Sequence, residues 1–443
     1  TTGANNTGIG SQALYANTTG TQNTAVGMQA LDANTTGASS TAVGQGALTT
    51  QTTGAYNTAV GASSGYGTTT GTSNVSMGFE SFYNNTTGTD NVAIGGDALK
   101  ANTTASNNTA VGKAALQANT TGTHNTAVGT AALDASTTGS DLTAVGYNVL
   151  GANTTGYSNV GVGGSASFLA AALATNTTGY GNTAVGSGAM AATTTASGNV
   201  AVGRQSMYAN TTGSNNVAIG QAALALNTTA GNNVAIGMNA LDANTTASRN
   251  IAMGTNALGA NTTGAENVGI GYSTLDTNTT GNRNTSLGDA SMDANTTGSD
   301  NVAVGQQALT QNTTASNNTA VGQKALYANT TAAYNTAVGY SALGANTTGS
   351  YNVVVGSSAL DANTTGSGNI AVGHGALGSN TTAGEVTGVG DGCLAANTSG
   401  ASNTALGAQT LAACTTGSSN TAAGGYSLND VTTGYQNTAF GNS

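Results

Sequence analysis

Seventeen residues separate each copy of a short glycine-anchored motif from the next, and this fixed step constrains the fold more than any other feature. Asn23-Thr24-Ala25-Val26-Gly27 is followed by Ala30-Leu31 and Asn34-Thr35-Thr36-Gly37, and then the pattern begins again. The anchor glycine recurs at that step from Gly10 to Gly163 and from Gly186 to Gly441. Repeats at a fixed period imply a solenoid in which each unit packs on the next. Helical repeats need about 33 residues or more per unit, and no apolar spacing of helical period is present. The step therefore predicts an all-β parallel β-solenoid with 17-residue coils, an elongated fibre formed by residues 1–443 as a single repetitive shaft. Its 26 coils, about 4.8 Å apart, would span roughly 120 Å.

Within a coil the pattern predicts two strand-like pieces. The first is Thr24-Ala25-Val26, where the place of Thr24 is always β-branched (Val92, Val217, Ile251, Ile370), as suits a pleated surface. The second begins at Ala30-Leu31 and runs into Asn34-Thr35-Thr36. Alternation puts Thr24 and Val26 on one face and Ala25 and Gly27 on the other. The large apolar residues are assigned to the interior, giving a core ladder of Val26, Leu31, Val43, Leu48, Ile94, Leu99, Val304 and Leu309. The Ala25/Gly27 face is then an outward strip. Two large side chains per coil make a thin core, and a long small-residue strip invites neighbouring chains, so a homo-oligomer is expected. Pairs that vary between copies, such as Met28-Gln29 and Thr21-Gln22, mark the exposed corners. Gly37 and its equivalents are read as turn residues with φ > 0, although Ala105, Ala230 and Ala315 replace them. Two irregularities stand out. Six extra residues enter near 164–169, and the last two coils carry Cys414 and Val431 in place of Asn. The chain opens and stops mid-repeat, which reads as a segment of something longer.

Composition excludes several classes of function. Charged residues are 5% of the chain where about 25% is usual, and six basic residues face sixteen acidic ones. A nucleic-acid grip needs the opposite balance. No apolar stretch approaches the ~18 residues of a membrane span, so none is expected in this segment.

The Asn91-Val92-Ala93-Ile94-Gly95 and Asn216-Val217-Ala218-Ile219-Gly220 cores resemble the head repeats of trimeric autotransporter adhesins. The longer form, with Ala-Leu-x-Ala-Asn-Thr-Thr-Gly between copies, is similar to repeats in phage-type tail-fibre proteins that end in an intramolecular chaperone. The resemblance covers essentially the whole chain. It implies a left-handed parallel β-roll, three chains wound side by side as a homotrimer, and a place on a cell surface or virion fibre, outside the cell.

Chemistry-bearing residues are sparse. His124 and His374 stand at corners some fifteen coils apart, where solvated corners are the simplest reading. Cys393 and Cys414 lie on different ladders, which favours packed thiols over a disulfide, and no zinc spacing occurs. Asp32, Asp134, Asp242, Asp276, Asp293 and Asp361 recur at one place in the coil, but calcium rolls need denser carboxylates. No cofactor is expected, and no convergent group points to an enzyme. The Asn-Thr-Thr triplets at Asn17, Asn34, Asn85, Asn102 and Asn119 are formal glycosylation acceptors, and equally residues that would stack into Asn and Thr ladders. Tyr15, Tyr83, Tyr208 and Tyr327 are candidate contacts for a glycan or receptor. The expected function is a structural or adhesive fibre shaft. The alternatives are a receptor- or glycan-binding adhesin head and an ice-binding solenoid presenting a Thr column.

Overall fold

The computed structural model describes residues 2–165 and 169–442. These fall into two compact units, Thr1–Thr229 and Ala230–Ser443, and each is an all-β parallel solenoid. Among the described residues there are 26 strands of three residues and no helix. The first unit carries β1 (Thr7–Ile9), β2 (Thr24–Val26) and their successors to β13 (Val217–Ile219), and the second runs from β14 (Val234–Ile236) to β26 (Thr438–Phe440). Within each unit, strands pair with their equivalents one coil away, in parallel and in register. Thr24 lies beside Thr41, Ala25 beside Ala42, and Val26 beside Val43. In the second unit Thr319, Ala320 and Val321 lie beside Thr336, Ala337 and Val338.

Only one of the two expected strands forms. From Gly27 to Leu31 the backbone turns repeatedly, with Gln29 at φ 60° and Leu31 at φ 52°, and such angles interrupt a strand. Coil-to-coil hydrogen bonds continue through these turns: Leu31 N–H donates to the Ala47 carbonyl (3.0 Å) and Thr35 N–H to that of Thr52 (2.9 Å). The anchor glycine has two reasons to be invariant. Gly27 sits at φ +138°, and a Cβ there would lie 2.4 Å from the Gly44 carbonyl oxygen. The expected φ > 0 at Gly37 does not occur. The left-handed residue is two places later, at Ser39 (φ 56°). The Gly37 place is buried and tight, a Cβ there lying 2.0 Å from the Gly54 carbonyl oxygen, so coils with Ala at this place, such as Ala105 at 2% exposure, must shift slightly to hold it.

The interior is lined differently from the expectation in one respect. Leu31, Leu48, Leu99 and Leu309 are buried, but Val26 and Val304 are half-exposed, and Val43 and Ile94 are 36% and 37% exposed. Ala25, not Val26, faces inward. Alternation divides the strand into two faces without saying which is inside, and the width of the coil decides it. The inward place admits Ala, Gly or Ser and, once, Val354. At three of the four coils where it shrinks to Gly, a larger neighbour fills the space: a Cβ on Gly161 would meet Val149 at 2.6 Å, one on Gly269 Thr274 at 3.2 Å, and one on Gly388 Cys393 at 3.0 Å. Gly65, standing where other coils have Leu, leaves room that Leu48 enters, 2.8 Å from a Cβ built there, and the next coil supplies the buried Phe82.

The rest of the interior is amide. Asn34 Nδ2 donates to Asn17 Oδ1 (2.9 Å) and to the Gly37 carbonyl (3.0 Å). That carbonyl also accepts from Asn23 Nδ2 at 2.8 Å, while Asn23 Oδ1 accepts the Ser40 N–H of the next coil (3.0 Å). Two buried Asn columns thus satisfy each other and the backbone, coil after coil. Thin apolar packing is offset by polar groups that leave little unpaired, since an unsatisfied buried partner costs roughly 1–3 kcal/mol.

The long step between Gly163 and Gly186 does not disturb the stack. β10 (Val160–Val162) pairs in register with β11 (Thr183–Val185), and Asn176 Nδ2 still reaches Asn153 Oδ1 at 2.9 Å. Of the six inserted residues at 164–169, residues 166–168 lie outside those described. Ser165 Oγ donates to the Leu169 carbonyl (2.9 Å) across the loop base.

Candidate functional site: the outward columns of the coil

With the interior consumed by coil-to-coil bonds, the surface is a set of outward columns, each one place of the coil repeated. Three are restricted in residue type. The two flanking places of every strand face out: the Thr24 place holds only Thr, Val or Ile, and the Val26 place only Val, Ile, Leu, Met, Phe or Ala. The second is substantially exposed, as at Val128 (38%), Ile219 (39%) and Leu406 (44%). The third column contains Thr36 and its equivalents, exposed in every coil and occupied by Thr at all copies but Ser399. Its neighbour Thr35 is explained by the fold, since its hydroxyl donates to the Thr52 carbonyl at 3.0 Å. The Thr36 column has no such role: its hydroxyls donate no hydrogen bond among the described residues.

The remaining candidates disperse. Asn34, Asn85, Asn102 and Asn119 are fully buried and Asn17 half-buried, so the glycosylation reading is corrected for the folded coil. The acceptor nitrogen donates twice into the stack at Asn34, Asn102 and Asn119 and once, to the carbonyl three residues on, at Asn17 and Asn85; at the four fully buried places a glycan would have no path to solvent. Tyr15 is exposed and Tyr208 partly so, while Tyr83 and Tyr327 are half-buried. These four are not brought together. Tyr83 instead stacks on Tyr66 with centroids 5.1 Å apart, and similar pairs form between Tyr157 and Tyr180 and between Tyr334 and Tyr351.

The histidines are exposed corners, each beside an acid one coil on: His124 Nδ1 is 4.0 Å from Asp141, and His374 Nδ1 is 3.2 Å from Asp391. Cys393 and Cys414 are free and buried, and burial pushes the Cys393 thiol up to about 12, which keeps it an unreactive thiol. Cys393 belongs to packing above Gly388. Its occurrence in a coil with Gly at the inward place is the sequence signal that could have pointed there.

Charge is confined to corners. Arg249, Glu266, Arg283 and Asp300 occupy one corner in four successive coils, with Arg249–Glu266 at 2.6 Å and Arg283–Asp300 at 2.7 Å. This alternating column is exposed and contributes little to stability. The recurrent aspartates are half-buried, and desolvation raises the pKa of Asp134, Asp242, Asp276, Asp293 and Asp361 above its ordinary value. Asp276 additionally feels Asp293 and Asp242. Its carboxylate leans over Gly259, whose missing side chain gives it room. Among the described residues, no three His, Cys, Asp or Glu side chains gather as a metal site, and no helix is long and apolar enough to cross a membrane. A cavity lined by Tyr426, Leu428, Asn429, Asp430 and Val431 holds one carboxylate and no base or nucleophile to act with it. Compared with known protein families and with characterised proteins, the chain matches none.

Proposed function

We propose that this chain is the structural shaft of an extracellular or virion fibre, with no catalytic role. The observation that carries this is the allocation of polar groups. Both Asn columns and the Thr35 hydroxyls are committed to joining one coil to the next, and among the described residues the variable corners gather no convergent set of reactive side chains. Such a coil does one thing per seventeen residues: it adds length. The low charge leaves its cohesion little affected by salt. The resemblance to adhesin-head and tail-fibre repeats supports the same reading. Small-angle scattering of the full chain should give a rod whose cross-section is one coil or a small bundle of them. A compact particle would defeat the proposal.

A second reading, ice binding, draws on the exposed Thr36 column, whose uniformity the fold itself does not require. It predicts thermal hysteresis that falls when Thr121, Thr138 and Thr155 are replaced by Lys. The absence of hysteresis in the unmodified chain would end it. The separated Tyr15, Tyr83, Tyr208 and Tyr327 give the glycan-binding alternative no comparable support.

A further inference from the structure

One corner column of the second unit carries its charges and rings in a regular order with a gap in it. The column has three acids, Glu266, Asp300 and Glu385. Two of them follow an arginine one coil earlier, Arg249 lying 2.6 Å from Glu266 and Arg283 2.7 Å from Asp300. The third, Glu385, follows Gly368. These residues share one backbone conformation, with Arg283 at φ 54°, Gly368 at φ 71° and Glu385 at φ 59°, so their side chains leave the coil in the same direction. Gly368 is thus a missing rung on an otherwise continuous column. The unit's one other Lys or Arg, Lys324, stands 6.0 Å from the centre of the Tyr327 ring. Glu385 is exposed and has no ion-pair partner among the described residues.

The other wall of the gap is aromatic. Tyr351 stacks on Tyr334 with centroids 5.1 Å apart and planes 2° from parallel, which leaves its opposite face turned to the Gly368 step. Tyr351 is 64% exposed. The atoms nearest a Cβ built on Gly368 belong to Glu385, at 3.8 Å, so no neighbour has moved in, unlike the step at Gly392, which the Gln409 side chain enters. Two coil steps separate Tyr351 from Glu385, about 9.6 Å at the strand spacing. Flat groups touch at about 3.5–4.0 Å, so the gap admits one flat layer and no more. Its walls also specify charge, because an aromatic face and an unpaired carboxylate both attract a cation. A guanidinium is the cation that is also flat: it stacks on rings and pairs with carboxylates as a fork, whereas an ammonium is compact and strongly hydrated. The chain itself twice sets a guanidinium on this column, one step before an acid.

We propose that the Gly368 step is a binding notch for one arginine guanidinium of a polypeptide partner, stacked on Tyr351 and paired with Glu385. The notch is open along its outer edge, which suits the end of a tethered side chain. It does not depend on the shaft reading. The test labels the full chain with fluorotyrosine, titrates it with the peptide acetyl-Gly-Arg-Gly-amide and follows the Tyr351 fluorine resonance, identified by its loss in Tyr351→Phe. A saturable shift is expected. Matched peptides with citrulline, flat but uncharged, or lysine, charged but not flat, should bind about fivefold more weakly. Glu385→Gln should weaken the arginine peptide by about as much. Gly368→Arg fills the notch from within, at a backbone angle that Arg283 already adopts. With its fold checked by circular dichroism, its Tyr351 should no longer respond. An absent or unsaturable shift overturns the inference, as does an equal response to the citrulline peptide. So does an equal response at Tyr180, which ends a tyrosine stack with Ser197 and Ser214 beyond it and no acid. Free methylguanidinium binding more tightly than the peptide would assign the notch to a small molecule and overturn the polypeptide partner.

Discussion

The place of Leu31 shows how strongly one backbone angle filters residue type. It is buried, it is large, and it sits at φ 52°, a region that β-branched residues avoid. Across the copies it is filled by Leu, by Met190, Met207 and Met292, by Phe82 and by Gly65, and never by Val, Ile or Thr. The outward Thr24 place, three residues before a Gly, accepts only β-branched residues. At Leu116 (φ 50°), Leu116→Met should therefore cost less than about 1.5 kcal/mol. Leu116→Val, although still apolar, should cost about 2–4 kcal/mol, combining lost volume with left-handed strain, as read by denaturant unfolding. Equal costs for the two would show that volume alone governs the site. This filter was legible in the sequence but in negative form. The second member of each variable pair (Gln22, Ser39, Tyr56, His124, Arg249) is chemically diverse, yet in a Thr-rich chain it is never Thr, Val or Ile, and those residues all have φ near 60°. Diversity hid the shared constraint, so corners read as merely exposed. The inside and outside of the strand stayed hidden for another reason. Alternation is symmetric, and hydrophobicity favoured Val over Ala for an inward place that takes a residue larger than Ala or Ser in only one coil, at Val354.

At the scale of the coil, neighbouring residues compensate for each other's volume and hydrogen bonds. Ser40 replaces an Asn, and Gln51, one methylene longer than the usual Asn, bridges the gap by donating to Ser40 Oγ (3.1 Å) and accepting from Asn57 Nδ2 (2.9 Å). Leu142 and Ser136 reverse the sizes. Both are buried where other coils have Asn, and both approach a Cβ built on Gly139, at 2.9 and 3.0 Å. The Ser136 hydroxyl has no partner there. Ser136→Asn alone should crowd Leu142 and destabilise the unit by about 1–3 kcal/mol. Combined with Leu142→Asn, it should recover most of that loss by restoring both amide columns, a coupling of about 0.5–3 kcal/mol in a double-mutant cycle. Additive costs would mean that the two columns are energetically independent. The Asn columns themselves were visible as repetition in the sequence. Their depth was not, because Asn-Thr-Thr reads equally as a glycan acceptor until the amide is seen donating inward.

For the whole molecule, the repetition that satisfies hydrogen bonds also half-buries one carboxylate place again and again, and desolvation raises its pKa, with like charge added only at Asp276. The carboxyls of Asp134, Asp242, Asp276, Asp293 and Asp361 have folded-state pKa values above the ordinary 3.8, so the fold holds their protons more tightly than the unfolded chain does. Their contribution to stability is therefore fully present below about pH 4 and is lost as pH rises through the raised values. Asp300, lowered by its bond to Arg283, works in the opposite direction but at an exposed site where the effect is small. The melting temperature should rise as pH falls from 7 towards 4. Asp276→Asn should raise it at pH 7 by about 1–3 °C and flatten the slope. A wild-type curve that falls on acidification, with Asp276→Asn unchanged, would contradict this. The in-register stack has a consequence of another kind, in heredity. A gain or loss of one whole coil leaves each ladder closed on an equivalent neighbour, and the stretch between Gly163 and Gly186 shows that even an off-step addition is set aside without a change of register. Copying slippage between near-identical repeats would then alter the number of coils, not the fold. Length becomes a trait that can drift or be selected one coil at a time, with every intermediate folded.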